Sequence, residues 1–211
     1  GCPSIDLAAE ILRSPKIDFD AYDKYGGVGP RPQLQAGYLV VMQHPVTTEY
    51  DRSREDVLET LHAIRALNLP TLWFWPNVDA GSDGTSKGIR WFREQYNPAN
   101  IHYFKSMQPF DFLRLLYNSG GIIGNSSVAI RECSFLGVPA VNVGSRQNSR
   151  ERGKNVVDVA CDHKAIQQAV LHQLRNGRVE GEDLYGDGNA GTRIAGVIAT
   201  QPLSIEKALT Y

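Results

Sequence analysis

Four short stretches of this chain carry side chains of the kinds that hold phosphate or move protons. The first, Gly124-Asn125-Ser126-Ser127, closes an apolar run and precedes a helical pattern. Glycine lets a backbone approach a ligand closely, and two hydroxyls beside the unpaired N–H groups at the positive end of a helix suit a diphosphate. A serine N-cap with no ligand has the same composition. Asn125-Ser126-Ser127 also spells a glycosylation sequon, but no secretory signal accompanies it.

Downstream of Ser127 stands Glu132. On a wheel of about 100° per residue, Val128, Ala129, Phe135 and Leu136 flank it on both sides, so its carboxylate falls within the apolar face. A buried carboxylate without donors is costly. The ribose hydroxyls of a bound nucleotide would supply them; so would a buried pair with Arg131 or Arg146. Gly137 and Pro139 then stop the helix.

The second stretch, Gln43-His44-Pro45-Val46-Thr47-Thr48, places His44 at the end of another apolar run. A histidine there can donate to a phosphate or act as acid or base near neutral pH, or it can be structural. In the third, Asn77 and Asp79 end a strand where turn residues are expected in any case. In the fourth, Arg146 follows Gly144-Ser145 and can clamp an anion through both guanidinium N–H groups. Gly186-Asp187-Gly188-Asn189-Ala190-Gly191 reads GxGxxG, yet it follows a polar stretch instead of the strand that a dinucleotide fingerprint requires, so it is expected to be a turn. The other histidines, His62, His102, His163 and His172, lack metal-ligand spacing, and no metal or cofactor is expected.

The elements that must position these residues are legible in the apolar pattern. Short β-branched or aromatic runs at 38–43, 71–75, 101–104, 121–123 and 140–143, with a weaker one at 155–159, predict buried strands. Helical periodicity occupies 53–67, 85–95, 109–118, 127–136, 164–175 and 191–199. Alternation at this spacing predicts βαβ units: a Rossmann-like α/β fold with a parallel sheet covered by helices on both faces. Ligands of such sheets bind outside the carboxyl ends of the strands, where all four stretches fall. Residues 1–36, rich in Gly and Pro between Tyr25 and Pro32, read as an interdomain segment or linker, 37–200 as the Rossmann-like domain and 201–211 as a tail.

Composition narrows the partners. The 211 residues suffice for one sizeable domain, and with 42% hydrophobic residues, 21% charged residues and a net charge of −1 they describe an ordinary globular protein. The scattered basic residues form no stripe for nucleic acid, and no apolar run is long enough to span a membrane. Cys2, Cys133 and Cys161 are odd in number and far apart, which suggests a reducing, cytoplasmic setting. The chain begins without Met, as a fragment of a longer protein would.

Taken in order, Gly1-Cys2-Pro3-Ser4, Gln43 to Thr48, Pro76-Asn77-Val78-Asp79-Ala80-Gly81-Ser82, Gly124 to Ser127 with Arg131-Glu132, Gly144-Ser145-Arg146-Gln147 and Tyr185-Gly186-Asp187-Gly188-Asn189 resemble the hydrolysing UDP-N-acetylglucosamine 2-epimerases, specifically their C-terminal half. The epimerase part of the bifunctional animal enzyme of sialic acid synthesis is included in that likeness. The resemblance implies the C-terminal domain of a two-domain GT-B fold that holds UDP. Ser126 and Ser127 would take the diphosphate, Glu132 the ribose, Gln108 the uracil through its backbone, and His44, Asn77 and Arg146 would line the same site. The implied reaction eliminates UDP and adds water to a glycal, giving N-acetylmannosamine. Its acid/base carboxylates belong to the N-terminal half of the enzyme, the partner this sequence lacks, and the tail would cross to that half. The resemblance also implies a homo-oligomer. Animal members carry a Lys for the CMP-sialic acid inhibitor where this chain has Asp83, so feedback by that ligand is not expected. A UDP-diacetamido-sugar epimerase, a GT-B glycosyltransferase half and a non-catalytic nucleotide-sugar-binding module remain as alternatives.

Overall fold

The computed structural model describes residues 1–202. Six short strands, β1 (Leu39–Met42), β2 (Thr71–Phe74), β3 (Ile101–Phe104), β4 (Gly121–Gly124), β5 (Ala140–Val143) and β6 (Val156–Val159), form one parallel sheet in the order β3-β2-β1-β4-β5-β6. β2 to β5 are buried throughout and β1 is buried up to Met42, with mainly Leu, Val, Ile and aromatic side chains and a glycine at each end of β4, as a covered parallel sheet requires. The chain runs outward from β1 through β2 to β3, then returns to the other side of β1. The reversal lies between β1 and β4, and at that point the loops at the strand carboxyl ends diverge to leave a crevice.

Alternation of side chains sorts the core into two layers. Leu39, Val41, Trp73, Ile123 and Val141 pack against α3 (Ser53–Leu67), α4 (Ser82–Tyr96) and α7 (His163–Asn176). Val40, Leu72, Phe104, Ile122 and Ala140 pack on the opposite face against α5 (Pro109–Tyr117), α6 (Glu132–Leu136) and α1 (Pro3–Arg13). Residues 1–36 include a helix, α1, that contributes Ala8 and Ile11 to the core, with a one-turn helix α2 (Ala21–Tyr25) after it. Proline at the first position of α1, which needs no backbone donor, starts it.

The last helix, α8 (Ala190–Thr200), packs on α1 and leaves Ile194, Val197 and Ile198 exposed. GxGxxG is a turn ahead of it, as the missing strand predicted. The tail at 201–211 lies, from residue 203 on, outside the described residues. No described helix is long and apolar enough to cross a membrane.

One element differs from its sequence reading. The stretch 127–136 is not a continuous helix: a 3-10 turn at Ser127–Ala129 precedes α6, and the chain bends at Arg131, whose ψ is −73°. Ser127 O accepts from both Ile130 N–H and Arg131 N–H, one tight and one ordinary turn sharing an acceptor.

Candidate functional site

The crevice is built around Asn125, the first residue after β4. Gly124 precedes it with φ +128°, and a Cβ there would lie 2.2 Å from Met42 O of the neighbouring strand, so only glycine lets β1 and β4 close together at this point. Asn125 then bridges the two strand ends with both atoms of its amide. Its Oδ1 accepts from His44 N–H (2.7 Å) and its Nδ2 donates to His44 O (2.8 Å). Its own carbonyl accepts from Gln147 Nε2 (2.7 Å) and Arg146 Nη1 (3.3 Å), which brings in the loop after β5. Three strand ends are thus pinned by one side chain and its main chain.

Around that bridge the structure gathers His44, Asn77, Asp79 and Arg146. Asn77 N–H donates to His44 Nδ1 (3.2 Å), Asn77 Nδ2 donates to Asp79 Oδ2 (2.5 Å), and Arg146 Nη2 reaches the same oxygen (3.3 Å). Because Nδ1 accepts, the ring proton of neutral His44 sits on Nε2. Burial, with a smaller push from the Arg146 cation, lowers the His44 pKa to about 4, against an opposing pull from Asp79. In the unliganded protein His44 is therefore a neutral Nε2–H donor at neutral pH, the form suited to donating to a phosphate.

Ser126 and Ser127 stand next to the bridge at the start of the 3-10 turn. Ser126 Oγ accepts from Val128 N–H at 3.4 Å, a weak cap. Among the described residues the main-chain N–H groups of Ser126 and Ser127 and the hydroxyl of Ser127 have no protein partner. Two amides and a hydroxyl at the mouth of a positively polarised turn are what an anionic oxygen needs.

Glu132 is 5% exposed, so the burial argued from the wheel survives the break in the helix. Its Oε1 lies 3.4 Å from Arg131 Nη2, a long contact, and its Oε2 is buried with no hydrogen bond. Arg131 is thus the cation beside it, while Arg146 is engaged with Asn125 and Asp79 instead. Arg131 Nη1 also lies 3.7 Å from Cys2 Sγ, and Cys2 N–H donates to Tyr185 O (2.8 Å). The chain start and the segment before α8, remote in sequence, meet behind the carboxylate.

Gln108 is held apart from this network. It is the residue before α5, in the loop after β3, and its N–H donates to Tyr25 Oη (3.3 Å); Tyr25 in turn donates to Asp111, which Lys24 Nζ pairs at 2.6 Å. Sequence reasoning gave no separate role to Asn125 or Gln147, although a polar residue directly after an apolar strand marks Asn125. Two cavities border the network. One of about 290 Å³ lies behind His44, lined among others by Gln43, Asp56 and Cys161; another of about 490 Å³ lies against Thr47, Ser145 and Arg146. Gln108, Ser126, Ser127 and Glu132 border neither.

The covered six-stranded parallel sheet, with a crevice at its β1/β4 reversal, is the Rossmann-like domain of the GT-B class. The sequence profile of the UDP-N-acetylglucosamine 2-epimerases matches residues 16–199, and the chain belongs to that family. It is 30% identical over 203 residues to the UDP-N,N'-diacetylbacillosamine 2-epimerase (hydrolyzing) of Legionella pneumophila, covering 96% of this chain and 51% of that one. With the UDP-N-acetylglucosamine 2-epimerase of Neisseria meningitidis it shares 30% identity over 192 residues, 91% of this chain and 48% of the relative. The chain spans about half the length of these curated relatives. The fold matches the crystal structure of UDP-GlcNAc 2-epimerase from Neisseria meningitidis bound to UDP-GlcNAc, with a TM-score of 0.69 at 16% identity over 93% of this chain and 53% of that one.

Proposed function

We propose that this chain is the UDP-holding half of a hydrolysing UDP-N-acetylglucosamine 2-epimerase, with UDP lying across the β1/β4 reversal. The observation that carries the reading is the pairing of free donors with a buried, under-bonded acceptor. The Ser126 and Ser127 amides await an anion, and Glu132 Oε2, at the start of α6 just beyond that turn, awaits hydroxyl donors. A nucleoside diphosphate supplies both, whereas free phosphate supplies only the first. In this reading Ser126 and Ser127 hold the diphosphate, Glu132 the ribose and the Gln108 backbone the uracil.

His44 and Arg146, with Asn77 between them, would face the phosphate that leaves the sugar. As the C1–O bond breaks and the C2 hydrogen departs, the electron pair of that bond goes to the β-phosphate oxygen. A neutral Nε2–H and a guanidinium stabilise the charge more strongly as it grows, which lowers the barrier to elimination. Water then adds its hydroxyl to C1 of the glycal and a proton to C2 on the opposite face, giving N-acetylmannosamine and UDP. The groups that remove and return the C2 proton would come from an N-terminal half joined through residues 1–36, and the tail at 201–211 would cross back to it. The reading also includes a cytoplasmic setting, in keeping with three free thiols, and a homo-oligomer.

Following UDP-N-acetylglucosamine by NMR in deuterated water with the full-length protein tests this: release of UDP with deuterium at C2 is expected, and absence of turnover would overturn it. A second reading, a UDP-diacetamido-sugar epimerase of the same mechanism, is favoured by the match to the Legionella enzyme along 96% of this chain. Comparing kcat/KM for the two UDP-sugars decides between them.

A further inference from the structure

At the outer edge of the sheet, remote from the crevice, β3 carries Tyr103. The side chain is 1% exposed and its hydroxyl is buried with no hydrogen-bond partner. It lines a cavity of about 180 Å³ together with Gly29, Arg90, Arg93, Glu94 and Asn97. The walls are fixed. Val28 pairs with Tyr103 in an antiparallel bridge that covers the strand edge (3.0 and 2.9 Å), and Gly29, at φ +108°, passes so close that a Cβ would lie 2.8 Å from Ile101 O. The guanidinium of Arg93 lies over the Tyr103 ring at 5.2 Å, and that of Arg90 over Trp75 at 5.8 Å. Among the described residues neither arginine has a carboxylate within ion-pair distance.

We propose that this edge cavity is a binding site for a small oxyanion, held by the guanidinium groups of Arg90 and Arg93 and by the hydroxyl of Tyr103. The donor set is the ground for the class of ligand. Two planar cations, each within 6 Å of an aromatic ring, line one space, and a phenol without an acceptor lines it beside them. Burial raises the Tyr103 pKa, which keeps that hydroxyl a donor. One carboxylate, Glu94, lines the same space and leaves the wall with a single net positive charge. Arginines in the last turns of α4 are favoured by the helix dipole without any ligand. That accounts for their charge but not for a fully buried phenol left unpaired, which is unfavourable when nothing accepts its hydrogen. The same dipole opposes an anion at this end of α4, so the affinity is modest, with Kd on the order of 1 mM, and falls with added salt.

The test uses amide and aromatic NMR shifts of the 211-residue chain titrated with inorganic phosphate at constant ionic strength, with and without saturating UDP. Saturable shifts at Tyr103, Arg93 and Asn97 that persist with UDP present are expected. Arg90→Gln/Arg93→Gln should weaken phosphate about tenfold and Tyr103→Phe severalfold, both leaving UDP affinity unchanged. A parallel titration with acetate separates the two sources of the chemistry, tighter binding of acetate assigning a carboxylate and of phosphate a phosphoryl group. Absence of saturable shifts at the β3 edge, their disappearance under UDP, or equal phosphate affinity in the double variant would each overturn the site.

Discussion

The turn at 124–127 and the turn at 186–191 both carry glycine and polar side chains and both open a helical segment. Only the second matches a nucleotide-binding string, yet there the first N–H groups of the helix are claimed by carboxylates, whereas at 124–127 those at the helix start have no partner among the described residues. At 186–191 Asp6 of α1 reaches across to cap α8, its two carboxylate oxygens accepting from Ala190 N–H (2.9 Å) and Gly191 N–H (2.6 Å), and Asp187 takes Asn189 N–H (3.2 Å). At 124–127 the Ser126 and Ser127 amides have no such partner among the described residues, and the turn is anchored from behind by Asn125. A helix start binds an anion when its N–H groups are unclaimed. Tertiary contacts, not the glycine spacing, decide that.

The largest effect is expected from removing the anchor. Asn125→Leu keeps a branched side chain of similar shape but leaves His44 N–H and His44 O without their partner, while the main-chain carbonyl that holds the loop after β5 remains. That should destabilise the chain by about 3 kcal/mol in urea unfolding and abolish UDP binding measured by calorimetry. Unchanged stability together with unchanged UDP affinity would show that the strand ends are held by other contacts.

His44 gives the next effect, read against pH. Its pKa is about 4 in the folded chain against the ordinary 6.5, so between these values the unfolded chain takes up a proton that the folded one does not. Stability is therefore lost as pH falls from 6.5 towards 4, by about 2 kcal/mol allowing for partial exposure of the ring. His44→Gln should flatten that part of the profile. Saturating UDP should flatten it too, because a diphosphate beside the ring favours the imidazolium. A wild-type slope equal to that of His44→Gln would remove the electrostatic account of this residue.

Glu132→Gln separates the site from the scaffold. Replacing an under-bonded buried carboxylate by a neutral amide of the same shape should change unliganded stability by less than about 1 kcal/mol, while UDP affinity falls about tenfold with the loss of a charge-assisted acceptor. A large loss of stability with no loss of affinity would make the Arg131 pair structural and the ribose assignment wrong.

The strands were legible because a doubly covered parallel sheet demands unbroken apolar runs, and the runs at 71–75 and 101–104 could be little else. The burial of Glu132 was legible from the wheel even though the helix there is broken, since the flanking apolar residues keep the same side. What could not be read was anything fixed by remote partners. Asn125 meets His44 across 81 residues, and Arg131 meets Cys2 across 129. α1 was obscured by the Gly/Pro-rich stretch that follows it, and its role in the core depends on a sheet that begins some twenty-five residues beyond its end. The same reach explains Asp6, whose two bonds to α8 span 184 and 185 residues.

Asp6→Ala supplies the smallest effect and the most direct break of the comparison. The cap satisfies two N–H groups at the start of α8 with a full negative charge, so its removal should cost about 1 kcal/mol. The loss should appear as faster hydrogen exchange at 190–193 and leave UDP affinity at 124–132 unchanged. The variant also unclaims the donors of the GxGxxG turn. If free donors alone made a nucleotide site, a second UDP equivalent would bind there. None is expected, because this turn has neither a strand feeding it nor a buried acceptor for ribose. A second equivalent in Asp6→Ala would mean that the cap, and not the surrounding fold, is what keeps nucleotide away from α8.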